Sequence, residues 1–204
     1  MSTAPRESWT ARKYLAFERE SAEKHEFLDG DIYLMTGASA NHNLIVGNIY
    51  ASLHTQLRQR PCVAYPSDMR LKVSESGLYT YPDISVVCEP PRFEDDRSDT
   101  LLNPTVIVEV LSPSTENYDR GKKFQHYRTL DSLQEYVLAA QDSPRLERYL
   151  RQSNDQWLFA DVTELDAQLQ YAQSELSNLG NPLALPVSFE QDLERPGFRI
   201  RSTR

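Results

Sequence analysis

The sequence predicts one α/β (α+β) domain built on a mixed β-sheet with helices packed against it, and three observations lead there. A chain of 204 residues is about the length of one domain with a sizeable core. Strand-like and helix-like segments alternate, with no repeat and no Gly/Ser-rich linker to divide them. One segment, Thr105–Leu111, is apolar on both of its faces except at Glu109, as expected of a central strand covered from both sides.

Each element has its own signal. Thr10 is a suitable N-cap, and Trp9, Leu15 and Phe17 alternate loosely with charge, which predicts a short amphipathic helix over 9–22. His25–Leu28 and Asp31–Leu34 flank Asp29-Gly30, a pair suited to a two-residue hairpin. Val46, Ile49, Tyr50, Leu53 and Leu57 recur at helical spacing, giving a helix over 40–60 that Pro61 ends. Strands follow at 62–65, 69–73, 81–88 and 105–111. In the second of these, Met69, Leu71 and Val73 share one face while Arg70 and Lys72 take the other, so this strand is expected to be half exposed. The acidic stretch 90–100 is expected to be a mobile surface loop. A helix over 119–130 precedes strands at 135–140, 145–150, 156–162 and 169–171. The Pro-bearing segment after Ser174 reads as a surface-hugging tail, with the domain core at about 10–185 and the tail proper at about 186–204.

Composition excludes more than it selects. Hydrophobic residues make up 39% and charged residues 25%, ordinary for a soluble protein, and no apolar run approaches the roughly 18 residues of a membrane span. The opening MSTAPRESWT lacks the basic-then-apolar order of a secretory signal. Cys62 and Cys88 lie in strand-like segments, so reduced core thiols in a cytoplasmic protein are expected. The net charge of −8 argues against coating nucleic acid or an anionic membrane with the whole surface, and leaves room for a local basic site.

Several chemistries are missing. Gly121-Lys122-Lys123 superficially resembles the end of a phosphate-binding loop, but Glu116 stands where its first Gly belongs. His25-Glu26 lacks a second His at position 29, and no Gly-x-Ser-x-Gly elbow occurs.

What remains is two acids and a lysine in apolar surroundings. Glu109 shares its face with Thr105, Ile107 and Leu111, and an unpaired buried carboxylate costs at least several kcal/mol. It must be protonated, paired or bound to a cation. Asp83 opens the next apolar strand, directly after Pro82, and two carboxylates on neighbouring strands suit a hard divalent cation. On a helix starting near Asp119, Lys123 falls inside the arc marked by Phe124, Tyr127 and Leu130, which aims it at the sheet. Each residue also has a structural explanation. A strand-end Asp caps turns, Glu109 can pair internally with an Arg or Lys, and Lys123 can snorkel to water or form a purely structural ion pair.

Together the residues have a recognisable form. Pro82-Asp83, Glu109 26 positions later, and a nearby lysine resemble the PD-(D/E)xK nuclease superfamily. The stretch 26–33, His42, Tyr81-Pro-Asp83, Glu109-Val-Leu-Ser-Pro-Ser114, Asp119-Arg-Gly-Lys-Lys-Phe124, Tyr127 and Glu135-Tyr136 narrow this to a resemblance to the Uma-two family, over roughly residues 10 to 185. The resemblance implies a restriction-endonuclease-like core and a Mg²⁺- or Mn²⁺-dependent endonuclease acting on nucleic acid, DNA in the first place. By that resemblance Asp83 and Glu109 ligate the metal with a backbone carbonyl near Val110. Lys123 orients the attacking water or holds charge on the scissile phosphate, and Glu26 is a further candidate ligand or water-mediated contact. His42 lines the same cleft, and Arg120 and Lys122 supply local positive charge for the nucleic acid. Nucleases of this fold often act as dimers, so a homodimer is an expectation too. The alternative is a catalytically inactive nuclease-fold module that binds nucleic acid or a protein partner.

Two positions depart from the family pattern. Leu111 stands where the superfamily usually carries its lysine, so Lys123 must serve from the helix. Ala140 stands where the family often has Asp, after Tyr136-Val-Leu-Ala.

Overall fold

A computed structural model describes residues 8–162. Its strands form two mixed sheets rather than the single sheet expected. In the smaller, neighbouring strands run in the order 31–34, 25–28, 78–80, 70–73 and 100–101, and in the larger 157–162, 146–151, 135–139, 106–110, 84–87 and 63–66. Helix α1 (Ala11–Glu18) starts at Thr10, whose side chain accepts the Lys13 N–H. Strands β1 (His25–Leu28) and β2 (Asp31–Leu34) make the predicted hairpin. Both Asp29 (φ 52°) and Gly30 (φ 85°) have positive φ, as a tight two-residue hairpin turn demands. Helix α2 (Ala40–Leu57) begins at Ser39.

Strands β3 (Val63–Pro66), β4 (Arg70–Val73), β5 (Leu78–Thr80), β6 (Ile84–Val87), β7 (Thr100–Leu101) and β8 (Val106–Val110) follow. The predicted strand 81–88 is therefore shorter, running only over β6 beyond Pro82, and β5, which ends before Tyr81, was not expected. The predicted helix 119–130 starts earlier and is irregular. An α turn, α3 (Glu116–Tyr118), leads into a π-helical segment (Asp119–Lys123) and then α4 (Phe124–Tyr127). Strands β9 (Glu135–Ala139), β10 (Leu146–Arg151) and β11 (Trp157–Val162) complete the larger sheet. The predicted strand 169–171 and the tail lie outside the described residues.

Two apolar layers hold the larger sheet. On one face Ile45, Ile49, Leu53 and Leu57 of α2 pack on Ile84, Val86, Val106, Val108, Val110 and Val137. On the other, Ile107, Leu111, Tyr136 and Leu138 meet Leu71, Val73, Leu78 and Leu101 of the smaller sheet and Tyr127 and Leu130 of the helical segment. Alternation along β8 thus sends even-numbered residues to α2 and odd-numbered ones, Glu109 among them, to the space between the sheets. A third cluster seats α1 under the hairpin through Tyr14, Leu15, Phe27 and Tyr79.

Three expectations need correction. Arg70 is buried, not exposed: it lies over the rings of Tyr14 and Tyr81, with Asp99 3.4 Å from Nη2. Aromatic faces and one carboxylate replace the water its charge would otherwise require. The acidic stretch 90–100 is fastened to the fold, because Glu94 accepts from Lys72 (2.6 Å) and Tyr79 (2.7 Å), and Arg19 grips Asp95 and Asp99. Cys62 and Cys88 form a disulfide rather than standing as free thiols. Antiparallel pairing of Val63 with Val87 makes residues 62 and 88 the next cross-strand neighbours, a relation that becomes visible only once the strand partners are known.

Two outcomes follow from these contacts. Replacing both cysteines with serine is expected to lower the unfolding free energy by about 3 kcal/mol, measured by urea titration against the oxidised protein. The Arg19 guanidinium, against the opposing effect of burial, holds Asp99 down to about 2. Its folded pKa is thus below the unfolded value near 3.8, so the stabilisation is complete above that value and disappears as pH falls toward 2. Asp99→Asn is expected to flatten this acid limb in a pH series of thermal melts.

Candidate active site

The β6–β8 register pairs Ile84 with Val108, and one step further places Asp83 opposite Glu109. The two residues clasp one another through the backbone. The Asp83 N–H donates to Glu109 Oε2 (3.3 Å), and the Val110 N–H donates to Asp83 Oδ2 (2.7 Å). Pro82 helps to end β5 before this point, leaving the Asp83 N–H outside a continuous ladder and free for a side-chain acceptor.

Lys123 reaches the same place from the helix. Its Nζ lies 2.8 Å from Glu109 Oε1, 3.5 Å from Asp119 Oδ1 and 3.7 Å from Glu26 Oε1, with only 7% of the side chain exposed. The π-helical turn carries Asp119 and Lys123 and buries both. Such wide turns recur at functional sites. Tyr127, one turn on, donates to Glu109 Oε1 (2.9 Å). The Tyr136 hydroxyl donates to the Asp119 carbonyl (3.1 Å).

The hairpin forms another wall. Glu26 faces inward and accepts the Thr80 hydroxyl. His42, in the first turn of α2, places Nε2 3.2 Å from Asp83 Oδ2, while its Nδ1 is buried with no hydrogen-bond partner among the described residues. Of the residues expected at the site, the structure therefore gathers Asp83, Glu109, Lys123, Glu26, Val110 and His42. Arg120 is drawn elsewhere, its Nε and Nη2 bound to Glu147 and its Nη1 to Glu116, and Lys122 is exposed on the same helical segment. The members not anticipated are Asp119 as a site carboxylate, Thr80, Tyr118 and Tyr127. Asp119 and Lys123 stand four residues apart, so helical spacing offered a signal for that pair.

The electrostatics follow from four carboxyl groups crowding one lysine and one histidine. Burial, reinforced by Asp83 and Asp119 and opposed by Lys123, pushes Glu109 up to about 8. Burial also raises Asp119, against Lys123. Burial works against the Lys123 ammonium, yet Glu109, Glu26 and Asp119 outweigh it and raise its pKa well above that of an ordinary lysine. His42 behaves alike: burial opposes its charge, but Asp83, Glu109 and the Val110 carbonyl prevail and raise it. Burial, with Glu26 next, lifts the Tyr118 phenol to about 12. The cluster is short of positive charge.

A divalent cation fits that shortage. Asp83 Oδ2 is filled by Val110 and His42, whereas Oδ1 accepts no hydrogen bond among the described residues, and Glu109 Oε2 holds only the long contact to the Asp83 N–H. No group of three His, Cys, Asp or Glu residues among those described is arranged to hold a metal alone. Two carboxylate oxygens are hard ligands that would suit Mg²⁺ or Mn²⁺ with much of the shell left to water and phosphate.

Removing Lys123 tests the pairing. Lys123→Met leaves Glu109 buried beside Asp83 and Asp119 and is expected to cost about 3–5 kcal/mol in urea unfolding, whereas Lys123→Met combined with Glu109→Leu recovers most of that loss. Additive losses would contradict the pair.

Comparison with known proteins agrees with the geometry. The family model Uma2, described as "Putative restriction endonuclease", matches residues 11–188. A Synechocystis protein described as "Uncharacterized protein sll1609" is 39% identical over 163 residues, 80% of this chain and 92% of that one. A second from the same organism, "Uncharacterized protein slr1290", is 34% identical over 189 residues, 92% of this chain and 94% of the other. Among solved structures, a "putative nuclease belonging to DUF820" from Anabaena variabilis superposes with a TM-score of 0.61 at 20% identity, over 76% of this chain and 85% of that chain, a likeness of fold. Among the described residues no helix is long and apolar enough to cross a membrane. With a family match spanning most of its length and a nuclease-like fold around paired carboxylates and a lysine, this chain belongs to the Uma2 family.

Proposed function

We propose that the chain is a divalent-metal-dependent endonuclease that hydrolyses phosphodiester bonds of DNA. The observation that carries this reading is the facing pair Asp83 and Glu109, clasped through each other's backbone, with an unfilled carboxylate oxygen and a lysine at 2.8 Å. A structural ion pair would need Glu109 and Lys123 only. It gives no reason for three further carboxyl groups at the same point.

Asp83, Glu109 and the Val110 carbonyl would hold Mg²⁺ or Mn²⁺, which when bound supplies Lewis acidity toward a phosphoryl oxygen and lowers the pKa of water. The chain's own groups do the rest. Lys123, kept protonated by its acidic neighbours, places an ammonium where negative charge develops on the scissile phosphate. The Tyr127 hydroxyl and Lys123 both occupy Glu109 Oε1, so Oε2 is the oxygen turned toward Asp83. Glu26, the outermost carboxylate to approach Lys123, is placed to steer a water against the ammonium. Tyr118, partly exposed and within the field of Glu26 and Lys123, is on hand as a neutral hydroxyl donor toward the substrate.

A second reading has one observation in its favour: Arg120, expected to supply positive charge for the nucleic acid, is neutralised by Glu147 and Glu116. A nuclease-fold module that binds a protein partner without turnover needs no free basic face, whereas nucleic-acid binding does. The two readings separate in one experiment. Supercoiled plasmid incubated with Mg²⁺ or Mn²⁺ is expected to be cut by the wild type and not by folded Asp83→Ala or Glu109→Ala. Lys123→Met is expected to lower kcat by about 10²-fold or more with a smaller change in KM. Equal cutting by all variants contradicts the proposed site. Salt-dependent DNA binding without cutting, unaffected by Asp83→Ala, supports the module.

A further inference from the structure

We infer that Gln141 is a positioning residue, a clamp that holds His42 and the Val110–Leu111 backbone in register around Asp83; the inference rests on the metal-site reading and deepens it. Three segments meet there: the start of α2, the end of β8 and the end of β9. Gln141 lies just past β9 and joins the other two. Its Nε2 donates to the Leu111 carbonyl (2.6 Å), and its Oε1 accepts the Ser39 hydroxyl (2.8 Å). The Ser39 Oγ in turn accepts the His42 N–H (3.1 Å), the hydrogen bond that caps α2. The His42 ring then closes the circuit on Asp83 Oδ2, 3.2 Å away, which also accepts the Val110 N–H (2.7 Å).

The circuit therefore runs Asp83, Val110, Leu111, Gln141, Ser39, His42 and back to Asp83. It fixes which oxygen of Asp83 is spent internally and which stays available. The Gln141 link joins the Ser39 cap of α2 to the Leu111 carbonyl at the β8 end, adding a polar tie to the apolar packing of α2 on β8 and supporting the placement of His42. Ala140 stands where the family often has an acid. The structure shows a polar bridge supplied by the residue immediately after it. A side chain that orients ligands from behind typically changes metal affinity 10- to 100-fold when removed.

The His42 ring N–H gives a readout that needs neither metal nor activity. In the metal-free full chain it is expected to appear as a slowly exchanging proton resonance, identified by its absence in His42→Gln. Gln141→Met keeps the side-chain length and removes the amide, and Ser39→Ala breaks the circuit at an independent point. Each is expected to speed exchange of the His42 ring proton at least tenfold and to weaken Mn²⁺ binding, read by calorimetry, by tenfold or more. If Gln141→Met fails to fold, Ser39→Ala decides. A His42 resonance and Mn²⁺ affinity unchanged in the folded variants overturn the clamp. Wild type that binds no Mn²⁺ overturns the metal reading instead, and the clamp then stands or falls on the resonance alone.

Discussion

Glu109 sits in the middle of an apolar strand, and the architecture around it can be understood as the means of keeping a carboxylate there. Buried charge is tolerated only when the lost hydration is replaced by fixed partners. Glu109 has three: the Lys123 ammonium, the Tyr127 hydroxyl and the Asp83 N–H. Two come from the helical segment after β8 and one from the break between β5 and β6, so these two stretches and β8 itself must all be in place together. The apolar layers on both sides of the larger sheet supply the rigidity for this, with even-numbered β8 residues anchored on α2.

The same partners leave the charge only partly compensated. Asp119 and Glu26 lie within reach of the lysine that Glu109 already occupies, and Asp83 beside Glu109 draws in His42. A fold selected for stability alone gains nothing from gathering further carboxyl groups at one point, because each raises the proton affinity of the next. The surplus is what a cation with a phosphate in its shell would offset. The π-helical turn belongs to this arrangement as well, since it buries Asp119 and Lys123 side by side on the face that meets the sheets.

Much of this was legible in the residues. Glu109 announced itself as the lone charge in Thr105–Leu111, Asp83 as the acid following a proline at a strand start, and Lys123 as a lysine on the apolar arc of a helix. The hairpin and the Thr10 helix cap rest on local chemistry and fell where turn and cap residues stand. What was not legible depends on which strands become neighbours. The short β5 and β7 draw their stability from β4 and have too few residues to show a period of their own. The Cys62–Cys88 bond, the burial of Arg70 over two tyrosine rings and the circuit through Gln141 all join residues whose proximity arises only from tertiary pairing. Arg120 illustrates the converse: its position on the helix was readable, while its capture by Glu147, 27 residues away, was not.

Calorimetric titration of Mn²⁺ into the purified protein, beside a folded Asp83→Ala variant, addresses the cation directly and needs no knowledge of the substrate. Saturable binding near one ion per chain in the wild type, lost in the variant, is the result this account predicts. Equal binding in both, or none in either even when a non-hydrolysable phosphodiester is supplied, would contradict it and leave the carboxylates as a structural cluster around Lys123.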